Sequence, residues 1–271
     1  MHDAKYNIYI RRLISHIAQK PEYWYLAYPC EELPNETCYA VLSESLKKLD
    51  MGIPFEYVIG WSEFYKYRFQ VTENVLIPRE ETEILVEQSI NALSRSIKNN
   101  LKVLELGVGS GAIIASILLS TSKSISAIAT DCSPGAILAA KNNSIRLGVN
   151  VAFKLGDWWD ALNSEEDGPF DLIIANPPYV GTEKTNEKDT LSSYEPSISL
   201  YGKKPSQSGT NDAMKIISGA SDWLEDGGKL LMEHGFNQRK ILSDFAISNG
   251  LLILEQIDDL SGLPRVLILG K

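Results

Sequence analysis

Cysteine is scarce in this chain: Cys30, Cys38 and Cys132 are its only three in 271 residues, an odd number with no close pair. That removes a zinc site built on paired thiolates, leaves no metal to expect, and fits a reducing, cytoplasmic setting. Long apolar runs are missing too. No window approaches the roughly 20 apolar residues that span a bilayer, and the stretch Met1–Lys20 is interrupted by His2, Asp3, Lys5, Arg11 and Arg12, unlike a secretory signal. A soluble protein with no membrane partner is expected. Basic charge is in deficit, 26 Lys and Arg against 35 Asp and Glu for a formal net charge of -9. There is thus no general attraction to nucleic-acid phosphates, although a local basic patch stays compatible with that balance. Internal repeats and low-complexity tracts are absent as well. What is present is a 44% hydrophobic content, enough at this length for one large α/β domain and a small second one.

From Asp3 to about Asp50 apolar residues recur at three- and four-residue spacing, as in Ile10, Leu13, Ile14 and Ile17, and again in Val41, Leu42, Leu46 and Leu49. Short helices follow from that period. Trp61, Phe64, Tyr65, Tyr67 and Phe69 crowd the next stretch, a composition that suits a hairpin. From Glu80 onward helical stretches such as Ala112–Leu119 and Pro134–Leu147 alternate with apolar β-type runs. These runs are Lys102–Leu106, Ile125–Thr130, Val151–Leu155, Phe170–Ala175, Lys229–Glu233, Leu252–Gln256 and Val266–Leu269. Alternation of this kind predicts a mostly parallel sheet covered on both faces. Only Ile257–Arg265 separates the last two runs, too little for a helical crossover, so an antiparallel pair at the sheet edge is expected. The boundaries read as a helical domain over 1–60, a hairpin linker over 61–79 and an α/β domain over 80–271, the outline of a Rossmann-like class I methyltransferase fold.

Glu105-Leu106-Gly107-Val108-Gly109-Ser110-Gly111 closes the first of these runs and opens a helix. Glycine lets the backbone bend sharply and approach a ligand, and a helix N-terminus offers unpaired N–H groups. Three glycines at alternate positions exceed what a bare turn requires, so Gly107, Val108, Gly109, Ser110 and Gly111 are candidate cofactor contacts. Asp131 stands 20 residues after Gly111 at the end of the second run, where a carboxylate can accept both hydroxyls of an adenosine ribose. Ser133 is available to cap the helix that follows. Nicotinamide cofactors use the same pair of features, so the loop and Asp131 alone do not separate a dehydrogenase or a non-catalytic adenosine-binding module from a methyltransferase. Asp157-Trp158 follows the third run; the acid suits the adenine amine and an indole suits the ring face, with Trp159 an equal candidate for that cover.

Asn176-Pro177-Pro178-Tyr179 comes directly after Leu172-Ile173-Ile174-Ala175, at the carboxyl end of the fourth strand, where open α/β sheets hold their ligands. Two prolines stiffen the chain and leave the Pro177 carbonyl without a helix or sheet partner. A planar amide or amino nitrogen is a poor nucleophile because its lone pair is delocalised. If the Asn176 side-chain oxygen accepts one of its N–H groups and the Pro177 carbonyl the other, the remaining orbital faces an incoming methyl group, and Tyr179 can stack on the planar group. This is catalysis by positioning and preorganised dipoles.

With those residues the sequence resembles the HemK/PrmC family, which methylates the glutamine side chain of peptide-chain release factors. The resemblance runs from Pro54 to Lys271 through Pro54-Phe55-Glu56-Tyr57-Val58-Ile59-Gly60, Glu63-Phe64-Tyr65, Leu76-Ile77-Pro78-Arg79, Glu81-Thr82-Glu83, Tyr194-Glu195-Pro196 and Glu233-His234-Gly235. Asn-Pro-Pro-Tyr by itself is shared with DNA adenine and ribosomal RNA guanine methyltransferases; the Ile-Pro-Arg segment joined to a helical domain discriminates. Glu80 departs from the family, which usually carries a second proline there. The resemblance implies S-adenosylmethionine as cofactor and S-adenosylhomocysteine as product, held by Gly107 to Gly111, Asp131, Trp158 and Asn176. It implies that Asn176 to Tyr179 hold the target glutamine, and that the N-terminal domain grips a release factor at its Gly-Gly-Gln loop. His234 is expected to be structural, Cys132 to pack, and the polar stretch Gly181–Thr210 to face the substrate.

Overall fold

Asn35 and Ser133 start helices as short polar residues do, Asn35 by accepting the backbone N–H of Cys38 at 3.0 Å and Ser133 that of Ala136 at 3.2 Å. They belong to different parts of the computed structural model, which describes residues 2–21, 23–28, 31–182 and 194–271. Packing divides the chain into two units, 1–61 and 62–271. The first holds α1 (His2–Ile17), α2 (Trp24–Ala27), α3 (Glu36–Asp50) and α4 (Phe55–Ile59). Leu13, Phe55 and Ile59 form its buried centre, with Ile17, Leu42, Leu46 and Leu49 packed around them. Val41 shares their helical period but is 45% exposed.

The stretch 61–79, which from Ser62 on belongs to the second unit, carries a two-stranded hairpin, β1 (Trp61–Phe64) and β2 (Tyr67–Gln70). Its Phe64 and Phe69 are buried with Leu85, Val86 and Leu93 of α5 (Glu83–Ser94). Then follow β3 (Asn100–Leu106), α6 (Ala112–Ser120), β4 (Ser124–Asp131), α7 (Pro134–Leu147), β5 (Ala152–Leu155) and β6 (Phe170–Ala175). The remainder is α8 (Ser197–Tyr201), α9 (Asn211–Trp223), β7 (Leu224–Glu233), α10 (Arg239–Ser248), β8 (Leu252–Asp258) and β9 (Pro264–Gly270). No helix among the described residues is long and apolar enough to cross a membrane.

The main sheet has the order β5-β4-β3-β6-β7-β9-β8. Its first five strands are parallel, and β9 enters antiparallel between β7 and β8. The last two strands are therefore the predicted antiparallel pair, but the antiparallel strand lies one in from the edge, and the outermost strand, β8, runs with the parallel set. Successive side chains alternate between two buried layers: Leu172 and Ile174 enter one, Ile173 and Ala175 the other. Coverage on both faces is why these strands read as continuous apolar runs. From β3 the chain moves outward through β4 and β5, then returns to lay β6 on the opposite side of β3. That reversal is the switch point at which the strand ends splay and leave room for a ligand.

Candidate active site

The ends of β3, β4 and β6 open into a pocket. On one wall the glycine loop bends through positive φ at Gly107, Gly109 and Gly111, +75°, +52° and +80°, angles that suit glycine. A side chain at Gly111 would press on Ala140 of α7 at 3.2 Å. Behind the loop, fully buried Asn143 holds the Ser110 carbonyl at 2.9 Å and pairs with the Gln70 backbone through both N–H and C=O. Asp131 accepts the Gly109 N–H at 3.0 Å with one oxygen and the Ser133 N–H at 2.9 Å with the other. Burial pushes its carboxyl up, and those N–H groups oppose the shift. Ser133 is the helix cap, which leaves Asp131 to face the pocket.

Glu105 also lines the pocket, buried under the loop, and accepts the Ile114 N–H at the start of α6 at 3.0 Å. Burial drives its carboxyl well above the usual range, and the Asp131 charge adds to that. An acid inside an apolar run, Leu104-Glu105-Leu106, is the sequence signal that marks it. Trp158 lies against the loop, its ring 3.1 Å from where a Gly107 Cβ would be. Its backbone has φ +53°, a strained state for a bulky residue, and its indole N–H is held by Asp212 Oδ1 at 3.0 Å. Trp159 turns away to stack on Trp223, ring centroids 6.1 Å apart. Of the two indoles, Trp158 is the one in the pocket. Asp157 lines it too, with Lys215 and Lys203 ammonium groups 3.1 and 3.6 Å from its carboxylate.

On the opposite wall stand Asn176 and Pro178; Pro177 and Tyr179 are not among the lining residues. Asn176 donates its Nδ2 to the hydroxyl of buried Thr82 at 3.1 Å. Gln238, 2% exposed, accepts the Gly235 N–H and donates to the carbonyls of Tyr179 at 3.0 Å and Ser208 at 2.7 Å. Gly209 allows this approach, because a Cβ there would lie 2.4 Å from the Tyr179 carbonyl oxygen. Arg79 pairs with buried Glu195, which also accepts the Ile77 N–H at 3.1 Å. The Ile-Pro-Arg and Tyr-Glu-Pro segments are thus two halves of one clamp. Burial pushes the Tyr179 phenol up to about 12 and the Glu233 carboxyl up to about 7. His234 is fully buried, bonded through Nδ1 to the Gly235 carbonyl, and does not line the pocket. Of the polar stretch Gly181–Thr210, residues 183–193 lie outside the described ones, while Ile198, Ser199, Gly202 and Lys203 line the pocket. Cys132 lines it beside Asp131, and the described residues hold no cluster fit for a metal.

A methyltransferase domain family matches residues 97–252. The chain is 35% identical over 263 residues to the release factor glutamine methyltransferase of Neisseria gonorrhoeae, covering 96% of this chain and 92% of that one. Against the protein of the same name from Xylella fastidiosa it is 36% identical over 219 residues, covering 80% and 76%. Among solved structures it is similar to a methyltransferase from Pyrococcus furiosus, with a TM-score of 0.52 at 17% identity over 87% of this chain and 98% of that one, a likeness of fold.

Proposed function

The chain belongs to the release factor glutamine methyltransferase family, and on that premise we propose that it methylates the side-chain amide nitrogen of the Gly-Gly-Gln glutamine of peptide-chain release factors, in the cytoplasm, with S-adenosylmethionine as donor. When bound, the cofactor supplies a methyl carbon activated by a positive sulfur and departs as S-adenosylhomocysteine. Asp131, fixed by two backbone N–H groups, keeps lone pairs for the ribose hydroxyls. Trp158 covers the adenine, with Asp157 near its amine.

The observation that carries the reading is the Asn176 amide. Thr82 takes its Nδ2, so Oδ1 is left to accept one N–H of the target amide, and the Pro177 carbonyl accepts the other. The nucleophile is then aimed without a strong base, and its displaced proton passes to solvent. Tyr179 flanks the planar group, and the N-terminal helices grip the release factor. The test is intact-mass analysis of a recombinant release factor incubated with this protein and S-adenosylmethionine, with DNA and ribosomal RNA arms in parallel. One added methyl, lost when the Gly-Gly-Gln glutamine is replaced, is expected. Transfer to nucleic acid instead would reject the reading.

A further inference from the structure

Glu233 ends β7 completely buried, and neither of its carboxyl oxygens has a formed hydrogen bond. An ionised carboxyl there is costly unless donors turn to it. The groups that face it are Thr82 and Glu81 from the turn before α5, Tyr179 from the segment after β6, and Arg265 from β9. The Thr82 and Tyr179 hydroxyls are the donors in reach, although neither has closed into a full bond. A hydroxyl has one hydrogen and two lone pairs. Thr82 already accepts Asn176 Nδ2 at 3.1 Å, so its own hydrogen must go elsewhere, and Glu233 is the adjacent acceptor.

We propose that Thr82 and Glu233 are positioning residues for methyl transfer: the Glu233 carboxylate takes the Thr82 hydrogen, keeps Thr82 an acceptor toward Asn176 Nδ2, and so holds Asn176 Oδ1 toward the amide nucleophile. The inference rests on the function proposed above. An asparagine amide has nearly the same shape in either orientation, and the flipped one would set its NH2 against the N–H groups of the target. Protonated Glu233 can donate to Thr82 and release the Thr82 hydrogen toward Asn176, which favours that flip. Burial, opposed by the Thr82 hydroxyl and the Arg265 charge, pushes the Glu233 carboxyl up to about 7, so the orientation is set within the neutral range. Arg265 itself is kept charged by its bonds to Asp259.

Single-turnover transfer to a release factor at saturating S-adenosylmethionine, measured across the neutral pH range, tests this with Thr82→Ser, Thr82→Val and Glu233→Gln beside the parent. Thr82→Val should lose about 100-fold in rate with unchanged S-adenosylhomocysteine affinity, and Thr82→Ser should stay within about tenfold of the parent. A packing role ranks them the other way, since valine keeps the shape and serine leaves a void. The parent rate should fall below about pH 7, and Glu233→Gln should be flat there, because an amide cannot titrate. Valine equal to or faster than serine, or identical pH profiles for the parent and Glu233→Gln, would overturn the inference; should Thr82→Val not fold, the two profiles decide it. A parent that binds S-adenosylhomocysteine yet does not methylate the release factor overturns the underlying function, and the inference with it, before any variant is compared.

Discussion

The carboxylates at the cofactor end of the pocket are fixed by near neighbours in sequence, whereas the polar groups at the acceptor end are fixed by residues from far along the chain. Asp131 is fixed by Ser133 two residues on and by Gly109 twenty-two residues back, and Glu105 by Ile114 nine residues on. Asn176 is fixed by Thr82 across 94 residues, Arg79 pairs with Glu195 across 116, and Gln238 grips Tyr179 across 59. The first end satisfies its carboxylates with backbone N–H groups. The second contains a buried carboxyl, Glu233, with no formed bond. The acids that line the cofactor end are set by the strand-to-helix turns, whereas aiming a weak nucleophile needs a site assembled by the whole fold.

The largest expected effect lies at the acceptor end. Removing one preorganised polar contact costs about 100- to 1000-fold in rate, near 2.7–4 kcal/mol, and Asn176→Ala should lose that much in single turnover while melting at the parent temperature. Asn176→Asp keeps an acceptor of similar shape and should retain more activity than alanine. If Asn176→Ala transfers methyl within about threefold of the parent, aiming does not depend on this side chain.

Next in size is a stability effect at the acceptor end. In the folded protein the Glu233 carboxyl is raised to about 7 from an ordinary value of 4.5, so the fold favours its protonated form. Its contribution is fully present below about 4.5 and is lost as pH rises through about 7, which amounts to about 3 kcal/mol at alkaline pH. Glu233→Gln should therefore resist urea better than the parent at pH 8 and about equally at pH 4.5. Coincident unfolding curves at pH 8 would mean that Glu233 is not the desolvated group the fold makes it.

The same contrast marks what could be read from the sequence. Phe170–Ala175 and Pro134–Leu147 form as their periodicity predicts, because burial on both sheet faces and a serine cap are local signals. β7 begins at Leu224, ahead of the predicted Lys229, since Glu225-Asp226-Gly227-Gly228 has no apolar period and joins the sheet through a register shift beside Phe170. Asn143, Thr82 and Gln238 look like ordinary polar residues on helices and turns. Only the folded chain brings them to the Ser110, Asn176 and Tyr179 groups they hold. Glu105 was within reach, an acid set between two leucines.

Asp131→Ala tests the cofactor end. It removes charged hydrogen bonds of about 1.5–3 kcal/mol, roughly a 10- to 150-fold loss in S-adenosylhomocysteine affinity by calorimetry. Unchanged affinity would dismiss the ribose contact.

The smallest effect should come from the other acid on that wall. Asp157 is as well placed in sequence as Asp131, two residues beyond the next strand, but its side chain is 32% exposed and its carboxylate lies 3.1 Å from Lys215 and 3.6 Å from Lys203. An acid so engaged has little left to offer an adenine amine, and exposed ion pairs contribute about 0–1 kcal/mol. Asp157→Ala should then weaken S-adenosylhomocysteine binding by less than about tenfold, and added salt should narrow the gap further by screening the lysines in both proteins. The pair of titrations isolates what distinguishes the two acids, since both follow from the carboxyl end of a strand and both line the pocket. A loss at Asp157 as large as that at Asp131 would mean that the lysines give way when the ligand enters and that the Asp157 carboxylate binds the adenine directly.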